Sequence, residues 1–206
     1  MFIKLCKMKS PNTKYNILLV ALDFFSKHGY SGASIRQIAR EVGIRESAVY
    51  NHYKSKEEIF NAILSEFGSG AVGKNVLCDD LLEDLNEPEK FLRNFAGRLI
   101  DFWDRPEERK FIRVLLMEQF TLVGQKELSI SGYLNELRSI CKLIFKEMIK
   151  NNIIKNFDPS ALADEFVGLL FLIRAEQMSS EKTDNIRSVR ELTDKHVNFF
   201  WQSVKI

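Results

Sequence analysis

The chain has 206 residues, of which 45% are hydrophobic and 28% charged, a composition typical of a globular protein and not of a disordered or membrane-embedded one. No uninterrupted apolar stretch approaches the roughly 20 residues that cross a bilayer. The first residues also lack the apolar segment and cleavage site of a secretory signal. We therefore expect a cytoplasmic protein without a membrane partner.

Charge is distributed unevenly along the sequence. Residues 1–60 hold ten Lys and Arg against five Asp and Glu, a net charge of +5, whereas residues 61–206 hold 20 against 23, a net charge of −3. A basic first third followed by a mildly acidic remainder indicates that one end of the protein meets a polyanion.

Apolar residues recur at helical spacing in almost every segment, and no stretch alternates long enough to predict a sheet. The predicted fold class is therefore all-α. The first helix is expected over residues 12–28 and ends at Gly29, a residue suited to a helix stop. Its buried side is an apolar stripe formed by Ile17, Leu18, Ala21, Leu22 and Phe25.

The next three helices are marked by their ends. Ser34 and Gln37 match a capping box, in which each side chain satisfies a backbone N–H of the other residue. Gly43 supplies a tight corner before a short third helix over residues 46–52. Ser55 then caps a fourth helix, expected over residues 56–67.

The helical spacing weakens between residues 71 and 87, where we expect a linker or one short helix. Five further helices are predicted near residues 88–104, 106–123, 126–151, 159–180 and 187–204. Pro88 and Pro106 fit the first turns of two of them, because proline needs no backbone donor there.

The helix, glycine corner and short helix of residues 34–52 have the layout of a helix-turn-helix, whose second helix enters the major groove of DNA. The segments SIRQIA at 34–39 and GIRESAVYNHYKSKEEI at 43–59 resemble the TetR family of regulators, and the resemblance extends over about residues 12–67. It implies a three-helix DNA-binding domain, placed at residues 1–56, followed by a helical ligand-binding and dimerisation domain at residues 57–206.

The resemblance also implies individual DNA contacts. Four residues are expected at phosphates, which position the protein without specifying sequence: Ser34, Tyr50, His52 and Lys56. Bases are expected to be read by the outward side of the third helix, through Arg45, Glu46, Ser47, Ala48 and Asn51, with Arg45 on guanine and Asn51 on adenine. Tyr50 taken alone also fits an ordinary surface aromatic.

One position departs from the family pattern. Many family members carry Ser or Thr where this sequence has Arg45, so the usual side-chain cap of the third helix is missing. Either Glu46 or Ser47 compensates at the helix start, or the helix begins later than drawn.

In the TetR family the last two helices pair two chains, which implies a homodimer here. The segment from Phe166 to Ile173 is apolar around its whole circumference and therefore needs burial on more than one side. The predicted interface comprises Phe166, Gly168, Leu170, Ile173, Phe199 and Phe200. The alternative is that these residues form the core of a monomer.

The family resemblance also implies a cavity for an unknown small-molecule effector. Residues on the middle helices fit an apolar or aromatic ligand, namely Phe102, Trp103, Met117, Glu118, Phe120 and Tyr133. Glu118 has apolar neighbours in sequence and, facing inward, would prefer a cationic ligand. For each of these residues taken alone, core packing is the more usual interpretation.

The sequence therefore predicts a ligand-responsive repressor that binds a palindromic operator in double-stranded DNA as a homodimer. No cofactor or metal site is expected, because the three cysteines and three histidines lack metal-ligand spacing. Two alternatives remain open at this point. One is an enzyme acting on small molecules on an all-α scaffold, although no catalytic motif is present. The other is a nonspecific architectural DNA-binding protein, which would favour a higher overall positive charge.

Overall fold

The computed structural model describes residues 12–68, 70–120, 129–179 and 186–206, and these ranges confirm the predicted all-α fold. The N-terminal helices are α1 (Thr13–Gly32), α2 (Ile35–Val42), α3 (Glu46–Tyr50) and α4 (Lys56–Phe67). They are followed by α5 (Ala71–Val76), α6 (Asp79–Leu82), a 3₁₀ turn (Glu83–Asn86), α7 (Pro88–Trp103) and α8 (Pro106–Glu118). The C-terminal helices are α9 (Ile130–Lys150), α10 (Pro159–Ser179) and α11 (Ile186–Val204).

The chain divides into two compact units. The first contains the described residues of Met1–Gly68 and Lys110–Ser129, and the second those of Ser69–Arg109 and Ile130–Ile206. The division falls within α8. The boundary at residue 56 between a DNA-binding and a ligand-binding domain stays a prediction.

In the first unit, α1 packs against α2 and α4, and α2 packs against α3. The predicted apolar stripe of α1 is buried, from Ile17 to Phe25. Ile38 of α2, Val49 of α3 and Phe60 of α4 are buried as well, and the ring centroids of Phe25 and Phe60 lie 5.6 Å apart. The burial of these side chains holds the short helices α2 and α3, which isolated chains of this length could not maintain.

Helix α1 does not end where the sequence predicts a helix stop, but is kinked there by Gly29. The φ of +71° and ψ of 170° at Gly29 leave the helical range, and such a positive φ is strained for residues that carry a Cβ. A last helical turn follows to Gly32 before the chain enters α2. The kink sets the direction in which the helix-turn-helix begins.

The second unit is built around α10, which packs against α7, α9 and α11. Phe166 of α10 is fully buried among aromatic rings, with its centroid 5.0 Å from that of Phe200 and 5.8 Å from that of Phe145. Edge-to-face arrangements such as these add to the stabilisation that burial already provides.

The segment between α4 and α7 contains more structure than the sequence predicts. In place of a linker or one short helix, it forms α5, α6 and the 3₁₀ turn. Side chains of longer helices hold it: Glu136 of α9 accepts hydrogen bonds from the backbone N–H groups of Gly70 and Gly73, at 2.7 and 3.1 Å. Such distant partners leave no periodic signal in the segment's own sequence.

Several helix ends differ from the predicted bounds. Helix α3 stops at Tyr50 instead of residue 52, and α8 ends at Glu118 instead of residue 123. Helix α9 begins at Ile130; its predicted start at residue 126 and the predicted end of α10 at residue 180 lie outside the described residues. Within the described ranges, no helix combines the length and apolar character needed to cross a membrane.

Candidate nucleic-acid interface

The capping box predicted at the start of α2 is formed. Ser34 Oγ accepts a hydrogen bond from the backbone N–H of Gln37 at 3.3 Å, and Gln37 Oε1 accepts one from the backbone N–H of Ser34 at 2.9 Å. The Ser34 hydroxyl also donates to Gln37 Oε1 at 2.7 Å. Ser34 is exposed, so this end of α2 is open to an approaching phosphate.

The corner between α2 and α3 is made by Gly43, whose φ of +79° lies in the left-handed region. A Cβ built there meets no atom within 4 Å, so backbone conformation alone favours glycine at this position. The N–H of Ile44 donates to the carbonyl of Ala39 at 3.0 Å and closes the turn.

Helix α3 buries one side and exposes the other. Val49 is fully buried, and the following Tyr53 is buried with its hydroxyl donating to the carbonyl of Lys14 at 3.1 Å. The exposed side carries Arg45, Glu46, Ser47, Tyr50 and Asn51. Ala48 and His52 are half-buried. The predicted base-reading residues therefore lie mainly on the solvent side of α3.

The question raised by Arg45 has a clear answer in the structure. Arg45 occupies the N-cap position of α3 in extended conformation and makes no side-chain capping hydrogen bond. The helix nevertheless begins at Glu46, as the sequence predicts. The Arg45 side chain is exposed and is therefore available to a ligand.

Two arginines of α2 extend this surface beyond the predicted residues. Arg36 and Arg40 are exposed and line a cleft of about 560 Å³ together with Arg45, Glu46 and the apolar Ala39 and Ile44. The two arginines are four residues apart and therefore lie on one side of the helix. The spacing of Arg36 and Arg40 by four residues is the feature of the sequence that could have revealed this surface. It places a concentration of positive charge beside α3.

Lys56, predicted at a phosphate, also has partners inside the protein. Its Nζ donates to the carbonyls of Tyr30 at 2.8 Å and Ala33 at 3.0 Å. The same ammonium lies 4.3 Å from the centroid of the Tyr30 ring, within the range of a cation–π interaction. Lys56 thus ties the start of α4 to the end of α1.

The C-terminal part of α8 also contacts α1 within the first unit. Glu118 Oε1 accepts a hydrogen bond from the backbone N–H of Tyr30 at 2.8 Å. Asp23 forms ion pairs with Lys27 at 2.6 Å and with Lys110 of α8 at 2.7 Å. Partial burial acts to raise the pKa of Asp23, but the hydrogen bonds from Lys110 and Lys27 outweigh it and hold the pKa below its ordinary value.

The predicted ligand residues fall into two groups. In the second unit Phe102, Trp103 and Tyr133 are buried, and Trp103 Nε1 donates to the Tyr133 hydroxyl at 3.0 Å. Burial raises the pKa of Tyr133. In the first unit Glu118 is buried, Met117 is 43% exposed and Phe120 is 82% exposed. Whether these six residues line one cavity stays a prediction.

The predicted dimer residues are also divided. Phe166, Leu170, Ile173 and Phe200 are buried within the second unit of this one chain, so their side chains serve its own core. Gly168 and Phe199 are exposed. Three further leucines on the same two helices are exposed, Leu169, Leu172 and Leu192, and the predicted interface set does not include them.

The helix-turn-helix described above is similar in sequence to known proteins. Residues 17–63, which contain α2, α3 and their packing partners, match the model of bacterial regulatory proteins of the tetR family. This segment of the chain is therefore similar to the tetR family. The match covers the helix-turn-helix and most of α1 and α4.

Proteins similar in sequence to this chain include two HTH-type transcriptional regulators. The HTH-type transcriptional regulator AcrR of Shigella flexneri is 27% identical over 119 residues, which are 58% of this chain and 54% of AcrR. The HTH-type transcriptional repressor NicS of Pseudomonas putida strain KT2440 is 30% identical over 110 residues, 53% of this chain and 50% of NicS. The matched part of this chain thus spans about half the length of these relatives.

Similarity in fold extends over most of the chain. A crystal structure of AibR in complex with isovaleryl coenzyme A and operator DNA superposes with a TM-score of 0.66. The sequences are 22% identical, and the superposition covers 91% of this chain and 97% of AibR. This similarity in fold therefore extends well beyond the residues 17–63 that match the family model.

Proposed function

We propose that this chain is a ligand-responsive transcriptional repressor that binds a palindromic operator as a homodimer in the cytoplasm. The observation that carries the proposal is the outward polar side of α3, presented beside three arginines in a TetR-family helix-turn-helix. The protein acts by binding and not by catalysis, with its DNA-binding domain in residues 1–56 and its ligand-binding domain in residues 57–206.

In this proposal α3 enters the major groove and its exposed side reads bases. Arg45 is exposed and free of a capping role, which suits a bidentate contact with guanine. Asn51 is exposed at the C-terminal end of α3 and suits adenine. Glu46 and Ser47 share this exposed side, and half-buried Ala48 lies at its edge.

Phosphates flank the groove and are contacted by residues at the edges of this surface. Ser34, Tyr50 and His52 take the roles predicted for them, and exposed Arg36 and Arg40 of α2 are added because the first helix of such a pair crosses the DNA backbone. Lys56 has three N–H donors, of which two reach internal carbonyls, so one donor is left for a phosphate.

Dimerisation is supported by the apolar side chains that α10 and α11 leave exposed. Leu172 is 50% and Phe199 is 74% exposed, and covering such residues is favourable. A two-fold dimer presents two copies of α3, which explains why the operator should be a palindrome. Within the predicted set, Gly168 and Phe199 are the residues still open to a partner.

Ligand response is proposed as a two-state equilibrium. An effector that binds better to the state with wrongly spaced α3 helices lowers operator affinity, because only differential affinity can shift such an equilibrium. The solved AibR complex contains both isovaleryl coenzyme A and operator DNA, which supports assigning both kinds of partner to this chain.

The first test is duplex binding measured by fluorescence anisotropy with a pool of random 30-base-pair duplexes. The protein should bind the pool with an affinity that falls as salt rises, because phosphate contacts release counterions. Replacing Arg36 and Arg40 together by Ala should weaken binding at least tenfold. A matched control removes two exposed lysines of α9, Lys142 and Lys146. No binding at low salt, or equal losses in both double variants, would refute the proposal.

A second test addresses the dimer by sedimentation. Phe199→Glu should convert the dimer to monomer, because it places a charge in an apolar interface. Phe157→Glu is the control, since Phe157 is 48% exposed but precedes α10. A monomeric wild-type protein, or dissociation by both substitutions alike, would contradict the interface.

A further inference from the structure

An apolar cavity of about 470 Å³ lies within the second unit, and its lining includes none of the predicted ligand residues. Its volume falls in the range of sites that hold drug-sized molecules. Phe91 of α7 and Met148 of α9 are buried lining residues. The half-buried lining residues are Leu77, Ile140, Ile144 and Ile153.

The remaining lining residues are exposed and therefore mark the opening of the cavity. Leu143 is 65% and Leu85 is 46% exposed. The two polar lining residues, Glu147 and Asn151, are also exposed. Glu147 is already paired with Lys150 at 3.3 Å, and the Asn151 amide donates to the Glu147 carbonyl at 2.8 Å. Polar groups thus occur at the opening, where both have partners within α9.

We propose that this cavity binds a neutral, largely apolar small molecule with a polar group at one end. The buried and half-buried lining residues carry no charge, so an ionised group inside would lose its hydration without a partner. A polar end at the opening keeps contact with water and with Asn151. Covering Leu85 and Leu143 would in turn remove apolar surface from water, which is favourable.

The position of the cavity gives such a ligand a means of regulation. One side is formed by α9, and the other includes Leu77 and Leu85, which belong to the segment between α4 and α7. Hydrogen bonds hold this segment to the longer helices, including one from Asn94 of α7 to Asp84 at 2.6 Å. A ligand bound between Leu85 and α9 would favour one arrangement of the segment between α4 and α7. That such a ligand acts as the effector of the repressor rests on the proposed function.

The test uses the neutral fluorescent probe N-phenyl-1-naphthylamine and its negatively charged relative 1-anilinonaphthalene-8-sulfonate. The full chain should bind the neutral probe with increased fluorescence, and more tightly than the sulfonate. Leu143→Glu should weaken neutral-probe binding about tenfold or more, because it places a charge at the opening. Ile144→Trp should also abolish binding by filling the cavity.

Ser139→Glu is the matched control, because Ser139 is an exposed residue of α9 that does not line the cavity. It introduces the same charge four residues from Leu143 and should leave probe binding unchanged. Circular dichroism checks that each variant is folded, and Leu143→Glu changes an already exposed position. Absent neutral-probe binding, equal losses in Leu143→Glu and Ser139→Glu, or tighter binding of the sulfonate would overturn the proposal.

The same samples separate this inference from the proposed function. Duplex binding is measured on each without probe. A protein that binds DNA but not the probe refutes the cavity assignment alone. A protein that binds the probe but no DNA supports the cavity and refutes the repressor proposal.

Discussion

The buried carboxylate of Glu118 accepts a hydrogen bond from the backbone N–H of Tyr30 at 2.8 Å, although the two residues are 88 positions apart in sequence. Glu118 ends α8, and Tyr30 directly follows the kink of α1 at Gly29. The contact gives an inward-facing acid a partner inside the protein. It also fixes the end of α1, against which Lys56 of α4 is placed.

Removing this acceptor should destabilise the first unit. Glu118→Ala leaves the Tyr30 N–H in a partly buried place without its partner, which costs about 1–3 kcal/mol of unfolding free energy. Glu118→Gln keeps an oxygen acceptor and should recover part of that loss. Urea denaturation of the three proteins measures the difference. Equal stability of wild type and Glu118→Ala would show that the hydrogen bond contributes nothing.

Two glycines with similar φ values should respond differently to substitution. Gly43→Ala places a Cβ in open space and should cost roughly 1–2 kcal/mol for the left-handed conformation alone. Gly29→Ala should cost more, because φ +71° with ψ 170° is a conformation that residues with a Cβ rarely adopt, and because its Cβ would come within 2.9 Å of Glu118 Oε1. In a double-mutant cycle, Glu118→Ala should relieve the part of the loss that comes from this contact. Thermal denaturation checks the order, and a larger loss from Gly43→Ala would contradict it.

Substitutions of Lys56 and Tyr50 should affect protein stability and DNA binding differently, which separates a structural role from a DNA contact. Lys56→Met removes two hydrogen bonds to carbonyls and should lower unfolding free energy by about 1–3 kcal/mol, besides weakening binding to every duplex. Tyr50→Ala should weaken DNA binding with little effect on stability, because Tyr50 is half exposed. Urea denaturation and salt-dependent anisotropy give both quantities. If Lys56→Met leaves the salt slope unchanged, its phosphate contact is refuted.

His196 should make stability depend on pH. Burial lowers its pKa below the ordinary 6.5, despite the opposing influence of the Phe166 carbonyl and Glu165. The unfolded chain therefore takes up a proton near pH 6.5, where the folded protein does not. Unfolding free energy should be greatest above pH 6.5 and fall as pH drops below it. His196→Gln should flatten that decline in denaturation experiments, whereas His28→Gln, at an exposed position, should not.

The sequence could predict what depends on neighbouring residues. The capping box of Ser34 and Gln37, the left-handed turn at Gly43 and the outward side of α3 all follow from spacings of a few positions. The segment between α4 and α7 could not be predicted in this way, because Glu136 and Asn94 stabilise it from distant parts of the chain.

The dimer and cavity residues show a second limit of sequence interpretation. The segment of α10 from residue 166 to 173 is apolar around its circumference, so periodicity could not decide which side faces the core of the same chain. The structure buries Phe166 and Leu170 and exposes Leu169 and Leu172. In α9, exposed Leu143 adjoins half-buried Ile144, and both line the apolar cavity. The cavity also depends on residues between 77 and 91, and no pattern of neighbouring residues in the sequence predicts where that segment lies.

Selection of bound duplexes from a random pool tests the central claim most directly, because it asks whether two copies of α3 read sequence. We predict a palindromic motif whose half-sites are separated by about one or two helical turns. Asn51→Ala should lower affinity for this motif by roughly 1–3 kcal/mol and relax preference at one position of each half-site. Recovery of no motif, or of one that Asn51→Ala and Arg45→Ala leave unchanged, would contradict base reading by α3.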